Sequence, residues 1–440
     1  MRRAAGAAAG LVLAVTACAP DIGHDPVPVA MQWDAAPPRV PSPSGLIVNQ
    51  DTHKIDFSLA GIQVPDDCDG AVMMPHAACE FDQWLQTLDG YPTTTPATAP
   101  ASAALDPATL TLGTNVVVFT GAGAPVGNVS VGFDASDNML DVAPAALWEL
   151  GTTYWFGVRG YEGGVRAASG TEVVGSPTMS LLKQETPLNC GQPDPALLDR
   201  SCPAYDLLLP QSTTAAAAGA AVEQLEKARL AYLVTGAWDL AAAAGLPKAE
   251  AAVLWGFPTH TNSVAELSPP ALGPQVVAPN EIHVAVHGPI DPASVKPTIV
   301  RQQTGTIVLM DLTAVSQNDL VDGLPPFDAT VSGADIVITA QSAFPAGHTL
   351  GLFFTNGLAD PSGKPLVASP VSVLLTLQGA LVDAAGHSNI SGVSDTDAAM
   401  LEAGRQQLAP LFDSGSLTGL TGINRGNLVY CFAFTFGGTP

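Results

Sequence analysis

The sequence predicts a mainly β protein made of two tandem β-sandwich modules, each with a helical excursion before its last strand. Short segments rich in Val, Thr and aromatic residues recur between Gly, Asp and Asn turns, which is typical of sandwich strands. A series of landmarks in the first half returns in the same order in the second half. In each half, a stretch with helical periodicity precedes a final aromatic segment.

The composition limits the classes of function. The chain has 440 residues and a formal net charge of −24, from 40 acidic and 16 basic side chains. A hydrophobic content of 47% is sufficient for a core and excludes global disorder. Proteins that bind phosphate backbones carry basic patches, so the scarcity of Lys and Arg argues against a nucleic-acid partner.

The N-terminus predicts export and an anchor. Residues 1–17 begin with two arginines and continue with an apolar run that is too short to span a membrane, which indicates a signal peptide. The run ends in VTAC at 15–18, which resembles a bacterial lipobox and implies acylation of Cys18. An ordinary signal peptide with an incidental cysteine is the alternative. Ala19 and Pro20 follow, and by the same resemblance they imply an outer-membrane lipoprotein, held in outer-membrane lipid at the cell surface or the periplasmic face.

Internal similarity sets the predicted domain organisation. Residues 18–45 are rich in proline and predict an extended tether. The first module is then expected at 46–262 and the second at 263–440. The paired landmarks are 105–110 with 290–295, 151–156 with 347–352, 173–177 with 366–370, 225–229 with 401–405, and 255–259 with 431–435.

Periodicity predicts the elements within each module. Strands are expected at 115–119, 128–133, 153–159 and 252–257, and then at 281–286, 306–310, 335–339, 350–355 and 428–436. Residues 92–104 are interpreted as a linker or as an extended approach to the first strand. Helices are expected where Leu225, Ala228 and Tyr232, and again Leu401, Gly404 and Leu408, share a face.

An acid and an arginine lie one turn apart on each predicted helix. The pairs are Glu226 with Arg229 and Glu402 with Arg405. A catalytic acid with its partner is conceivable in principle. We instead expect solvated ion pairs, because such spacing is common on exposed helix faces.

The cysteines predict local disulfides. Cys68 lies near Cys79, and Cys190 lies near Cys202, so pairing within each group is the most economical of the three possible arrangements. Metal binding is the alternative, but zinc sites usually have ligand pairs two to four residues apart, and these cysteines do not. Cys431 lies in an alternating segment and is interpreted as a buried strand cysteine.

Two segments resemble known families. Residues 355–366 read TNGLADPSGKPL, which resembles a turn motif of bacterial Ig-like domains of the S-layer-protein type. Residues 88–94 read LDGYPTT and, with the later Leu-Asp-Pro at 105–107, are similar to the N-terminal region of bacterial surface (virulence-factor) lipases. The resemblance implies tandem Ig-like modules without catalytic residues, since in those lipases the catalytic residues belong to a downstream hydrolase domain.

Candidate catalytic and metal sites are weak. Ser388 lies in GHSNI, which lacks the second glycine of a hydrolase elbow. His283 and His287 lie on a predicted strand, too far apart for one metal ion, and are expected to face solvent. The acidic turns at 134–138 and 319–322 could bind calcium but lack the EF-hand pattern. We therefore expect no catalytic residues, no metal and no cofactor.

The leading hypothesis is a lipid-anchored cell-envelope protein with a structural or binding role, such as adhesion or scaffolding, and an unknown protein or glycan partner. The alternative is a non-catalytic accessory region of a surface lipase or esterase system. A cryptic hydrolase is a third hypothesis.

Overall fold

Antiparallel sheets dominate the structure, as the sequence predicts, and helices are confined to a few segments. The computed structural model describes residues 28–35, 38–49, 51–70, 74–192, 194–198, 201–208, 214–265, 275–278, 280–298, 305–316, 323–413 and 415–435. The strands before the module junction are β1 (Val29–Met31), β2 (Asp34–Ala35), β3 (Pro38–Arg39), β4 (Ala97–Pro100), β5 (Val116–Thr120), β6 (Val129–Asp134), β7 (Met139–Pro144), β8 (Thr153–Arg159), β9 (Val173–Gly175) and β10 (Ala251–Pro258).

The remaining strands and the helices complete the element order. The later strands are β11 (Val264–Ala265), β12 (Gln275–Ala278), β13 (Glu281–His287), β14 (Ile307–Asp311), β15 (Phe327–Ser332), β16 (Asp335–Ala340), β17 (Thr349–Thr355) and β18 (Leu428–Thr435). The helices are α1 (His76–Leu85), α2 (Pro177–Leu182), α3 (Pro203–Leu208), α4 (Ala215–Val234), α5 (Ala237–Ala243), α6 (Leu312–Ser316), α7 (Pro370–Leu374), α8 (Asp395–Asp413) and α9 (Ser416–Thr421).

The two halves of the chain repeat one pattern of strand pairing. In the first half, one sheet has the order β4-β7-β6 and the other has the order β10-β8-β5. In the second half, β13-β16-β15 and β14-β17-β18 repeat these pairings, with β11 and β12 added beside β13. All of these pairings are antiparallel.

Strand burial explains the hydrophobic patterns. β6 and β15 alternate between more buried and exposed residues, because one face of their sheet is open to solvent. β8, β14 and β17 are buried along nearly their whole length, because their sheet is covered on both faces. In the second half, Leu352 and Phe354 contribute to the core shared with β13 and β16, while Phe353 contributes to a core lined by α7 and α8. The helical excursion is therefore the second cover of this sheet.

The repeated landmarks have the same local structure in both halves. Asp106 and Asp291 each cap a short 3-10 turn, accepting the N–H of Ala108 at 3.0 Å and of Ala293 at 2.9 Å. Ser176 and Ser369 cap α2 and α7, each followed by proline at the first helical position. Both helix starts are therefore set by local chemistry that the repeat preserves.

Some predicted elements change in the structure. Residues 97–100, interpreted as part of a linker or an approach to a strand, are themselves strand β4, paired with β7. Strands β1, β2, β3, β7, β9, β11, β12 and β15 are additional to those predicted. The first three lie in the segment 18–45 that the sequence predicts to be an extended tether, and β1 is instead paired with β9, with Met31 fully buried. The other predicted strands agree with the structure to within a few residues, and α4 and α8 lie at the two predicted helical stretches.

Helix α1 packs against the second half of the chain although it precedes β4 in the sequence. Ala77 is fully buried in the core formed by α7 and α8, with Phe81 and Trp84 packed at its edge. The approach is close, because a Cβ on Gly379 would lie 2.3 Å from the Ala77 nitrogen. The boundaries at 45 and 262 stay predictions. Helix α1, which precedes residue 262, packs against α7 and α8, which follow it.

Candidate functional site at the module junction

The segment that connects β10 to β11 is bound by residues 88–91. The N–H of Tyr91 donates to the Pro258 carbonyl at 2.8 Å, and the N–H of His260 donates to the Tyr91 carbonyl at 3.0 Å. A Cβ at position 90 would lie 2.4 Å from the Thr259 carbonyl carbon. Gly90 is therefore required for this close backbone approach.

Asp89 is the centre of a polar cluster at this junction. Its carboxylate accepts the Thr261 N–H at 2.9 Å, the Thr261 hydroxyl at 2.5 Å and the Lys364 ammonium at 3.1 Å. Burial acts to raise the pKa of Asp89, but these hydrogen bonds outweigh it and hold the pKa below its ordinary value. Asp89 belongs to the segment at 88–94 and Lys364 to the segment at 355–366. The structure thus joins the two segments that carry the family resemblances.

Further hydrogen bonds join the connecting segment to the second half of the chain. Asn262 Nδ2 donates to the Pro365 carbonyl at 2.9 Å, and the Val367 N–H donates to the Ser263 carbonyl at 3.0 Å. The Ser263 hydroxyl donates to the Pro289 carbonyl at 2.8 Å. The connecting segment is therefore held from both halves and is not a free linker.

Two histidines lie at the same junction. His260 is 2% exposed, and within the described residues its Nδ1 has no hydrogen-bond partner. Burial lowers the pKa of His260 to about 4, since Asp89 compensates only in part and His287 and Lys364 add to the lowering. His287 donates from Nε2 to the Trp148 carbonyl at 2.9 Å, across the two halves.

The sequence predicts that His283 and His287 on β13 face solvent, and the structure differs, because both side chains have polar partners. His287 is engaged in the junction, while His283 lies 2.9 Å from Glu281 and 3.3 Å from Asp335. Hydrogen bonding to Glu281, with a further contribution from Asp335, raises the pKa of His283. Both histidines lie on one strand, as predicted.

The two acid–arginine pairs are buried, so the prediction that they are solvated is wrong. Glu226 is 7% and Arg229 2% exposed. Arg229 donates twice to Glu226, at 2.8 and 2.6 Å, and Glu226 also accepts the Leu188 N–H at 2.8 Å. Arg229 Nη1 donates to the Glu185 carbonyl at 3.0 Å. The pair fastens the loop 184–188, which follows α2, to α4.

The second pair repeats this arrangement. Arg405 donates to Glu402 at 2.8 and 2.7 Å, Glu402 accepts the Leu381 N–H at 2.9 Å, and Arg405 Nη1 donates to the Gln378 carbonyl at 3.1 Å. Hydrogen bonding from Arg405 lowers the pKa of Glu402 to about 2, despite its burial. We call each pair, with the backbone groups it binds, a loop latch.

The cysteine sites are placed as follows. Disulfides join Cys68 to Cys79 and Cys190 to Cys202, with Cα–Cα distances of 5.6 and 5.7 Å. Cys431 is a free thiol, buried in β18, and burial raises its pKa. Cys18 lies outside the described residues, so acylation of this residue stays a prediction.

The remaining candidates have local roles. The Ser388 hydroxyl donates to the Ile390 carbonyl at 3.0 Å, within the loop before α8. Asp134 accepts the Ser136 N–H at 2.8 Å in its own turn, while 319–322 lies outside the described residues. Over the described part of the chain, no group of three or more His, Cys, Asp or Glu could hold a metal ion. Among the described helices, none has the length and apolar character needed to cross a membrane.

Comparisons with known proteins give little further information. No family model matches the sequence, and no curated protein matches it. A solved structure with some similarity is the N-terminal part of the bacterial S-layer protein SbsC, at 16% identity and a TM-score of 0.17. The match covers 43% of this chain and 35% of that chain. At such a score the similarity carries no argument about fold or function.

Proposed function

We propose that this chain is a non-catalytic, lipid-anchored cell-envelope protein, built from two Ig-like modules, with a structural or binding role. The proposal combines the lipobox-like segment at 15–18 with the duplicated sheet pairing. The observation that carries it is the junction, where the polar cluster of Asp89, Thr261 and Lys364 connects the two halves.

The strand pairing supports the Ig-like assignment. In each half, the first long strand of one sheet pairs with the fourth, and the fourth pairs with the third. The second strand pairs with the fifth, and the fifth pairs with the last. Two facing antiparallel sheets with these connections are the arrangement of immunoglobulin-type sandwiches. The helical excursion before the last strand is an addition to that arrangement.

The use of polar side chains supports a structural role. The segment at 88–94 contributes Asp89, Gly90 and Tyr91 to the junction, and Lys364 of the Ig-like motif binds Asp89. These residues hold the two halves together, which supports a structural role for this segment.

The anchor is tested by labelling and fractionation. Cells that express the natural chain and a Cys18→Ala variant are grown with radioactive palmitate and separated into membrane and soluble fractions. We expect label and membrane association only for the natural chain. Protease shaving of intact cells then reports the side of the membrane. Equal membrane association of the variant would contradict lipid anchoring, and co-purification of an esterase would favour the alternative.

A further inference from the structure

The two loop latches hold loops of the same shape. Residues 185 and 186 form bends, as do residues 378 and 379. In both loops, an arginine binds two successive carbonyls and a glutamate binds the N–H three residues further on. The backbone amides of Glu185 and Thr186 are therefore the counterparts of those of Gln378 and Gly379.

In the second half these amides bind a carboxylate from outside the module repeat. Glu80 of α1 accepts the N–H of Gln378 at 2.9 Å and the N–H of Gly379 at 3.0 Å, both at Oε2. The apolar residues of α1 pack beside this contact, with Ala77 fully buried. The loop 377–381 thus binds a glutamate that is carried by helix α1.

In the first half the counterpart amides are open. Among the described residues, the N–H groups of Glu185 and Thr186 have no hydrogen-bond partner, and residues 184–187 are exposed. The Glu226–Arg229 latch holds the loop without any such ligand. The loop 184–188 therefore has the counterparts of the two amides that bind Glu80 in the second half, and no described residue of this chain binds them.

The surroundings of this loop suit an acidic segment with an apolar side chain. The ammonium of Lys248 lies 3.9 Å from the Glu185 carboxylate, and that of Lys183, next to the loop in sequence, donates to the Ala251 carbonyl at 2.6 Å. One turn beyond Arg229 on α4, Leu233 is 42% exposed. Lys248 is therefore a cation beside this loop whose charge an acidic segment would share with the Glu185 carboxylate.

We propose that the loop 184–188 is a docking site for an acidic peptide segment of a partner protein, whose glutamate or aspartate carboxylate binds the amides of Glu185 and Thr186. Thr186 stands where the second half has Gly379, so its Cβ keeps the partner backbone further away than α1 comes to Gly379. The proposal deepens the binding role given above and rests on that proposed function for its biological context. The site itself is independent of the anchor.

Residue-resolved NMR tests the site on the full chain. The probe is a synthetic peptide with one glutamate flanked by glycines, because the Cβ of Thr186 excludes the close helical approach that α1 makes at Gly379, and its control carries glutamine in place of the glutamate. We expect the first peptide to move the amide signals of Glu185 and Thr186 downfield in a saturable way, and the control to leave them unchanged.

Matched variants of the chain sharpen the test. Thr186→Gly should tighten binding of the glutamate peptide by roughly tenfold, because it removes the Cβ that Gly379 lacks. Lys248→Ala should weaken binding, while Lys227→Ala, which removes an exposed lysine elsewhere on α4, should not.

Three results would overturn the site. These are unchanged amides at 185 and 186 in the natural chain, equal shifts with the control peptide, or shifts confined to Gln378 and Gly379. None of these results bears on the anchor, which the Cys18→Ala experiment tests separately.

Discussion

Replacing either latch arginine by methionine should destabilise the chain strongly, and by different amounts in the two halves. Glu402 is 6% exposed, and after Arg405→Met its carboxylate keeps donors from the Leu381 N–H at 2.9 Å and from Gln406 Nε2 at 2.8 Å. Removing one partner of a buried pair costs about 3–5 kcal/mol. Because two donors remain, we expect about 3 kcal/mol for this variant.

Arg229→Met should cost nearer 5 kcal/mol. After that change, the Leu188 N–H at 2.8 Å is the one donor to Glu226 that the described contacts retain. Methionine fills much of the volume of the arginine stem, so the loss reports the unpaired carboxylate and not a large cavity.

The effect of Arg405→Met should also depend on pH, with a defined sign. The pKa of Glu402 is lowered from 4.5 to about 2 in the folded chain. Its contribution is therefore fully present above pH 4.5 and is lost as the pH falls towards 2, and the shift corresponds to about 3 kcal/mol. The variant lacks this contribution, so the difference between the two proteins should shrink as the pH falls from 7 to about 3.

Denaturant unfolding and hydrogen exchange measure these effects. Free energies of unfolding come from guanidinium titrations at several pH values, and exchange at 184–188 and 377–381 reports each loop separately. The matched control is Lys227→Met, because Lys227 is 72% exposed and its pair with Glu223 is on the surface; we expect a change below about 0.5 kcal/mol. A loss under about 1 kcal/mol for Arg405→Met, unchanged with pH, would contradict this role of the pair.

Three further predictions concern other buried groups. Cys431 should react with a thiol reagent only after unfolding, because it is fully buried and its pKa is raised; fast labelling of the native chain would contradict this. The pKa of His260 is lowered from 6.5 to about 4, so the folded chain loses stability as the pH falls between these values. His260→Phe should reduce this loss, as measured by thermal unfolding at several pH values. Gly379→Ala should displace α1, since its Cβ would lie 2.3 Å from the Ala77 nitrogen, and faster exchange of residues 76–85 would show it.

Local chemistry could be predicted well from the sequence. The strands with continuous Val, Ile and aromatic residues are found at the predicted places because their side chains must be buried on both faces. Asp106 and Asp291, or Ser176 and Ser369, act on backbone amides a few residues away, so equal motifs give equal turns and caps. Strand β4, made of Ala, Thr and Pro, has little intrinsic strand preference and owes its conformation to pairing with β7.

The internal repeat, the positions of α4 and α8 and about half of the described strands follow from the sequence, because these depend on neighbours within a few residues. Which polar residues are buried depends on contacts between distant parts of the chain. The spacing of Glu226 and Arg229 is the same for a solvated pair and for a loop latch, and the difference lies in the loop 184–188 folding over them. In the same way, Asp89 meets Lys364 across 275 residues of chain, because the folded sheets of the two halves bring these residues together.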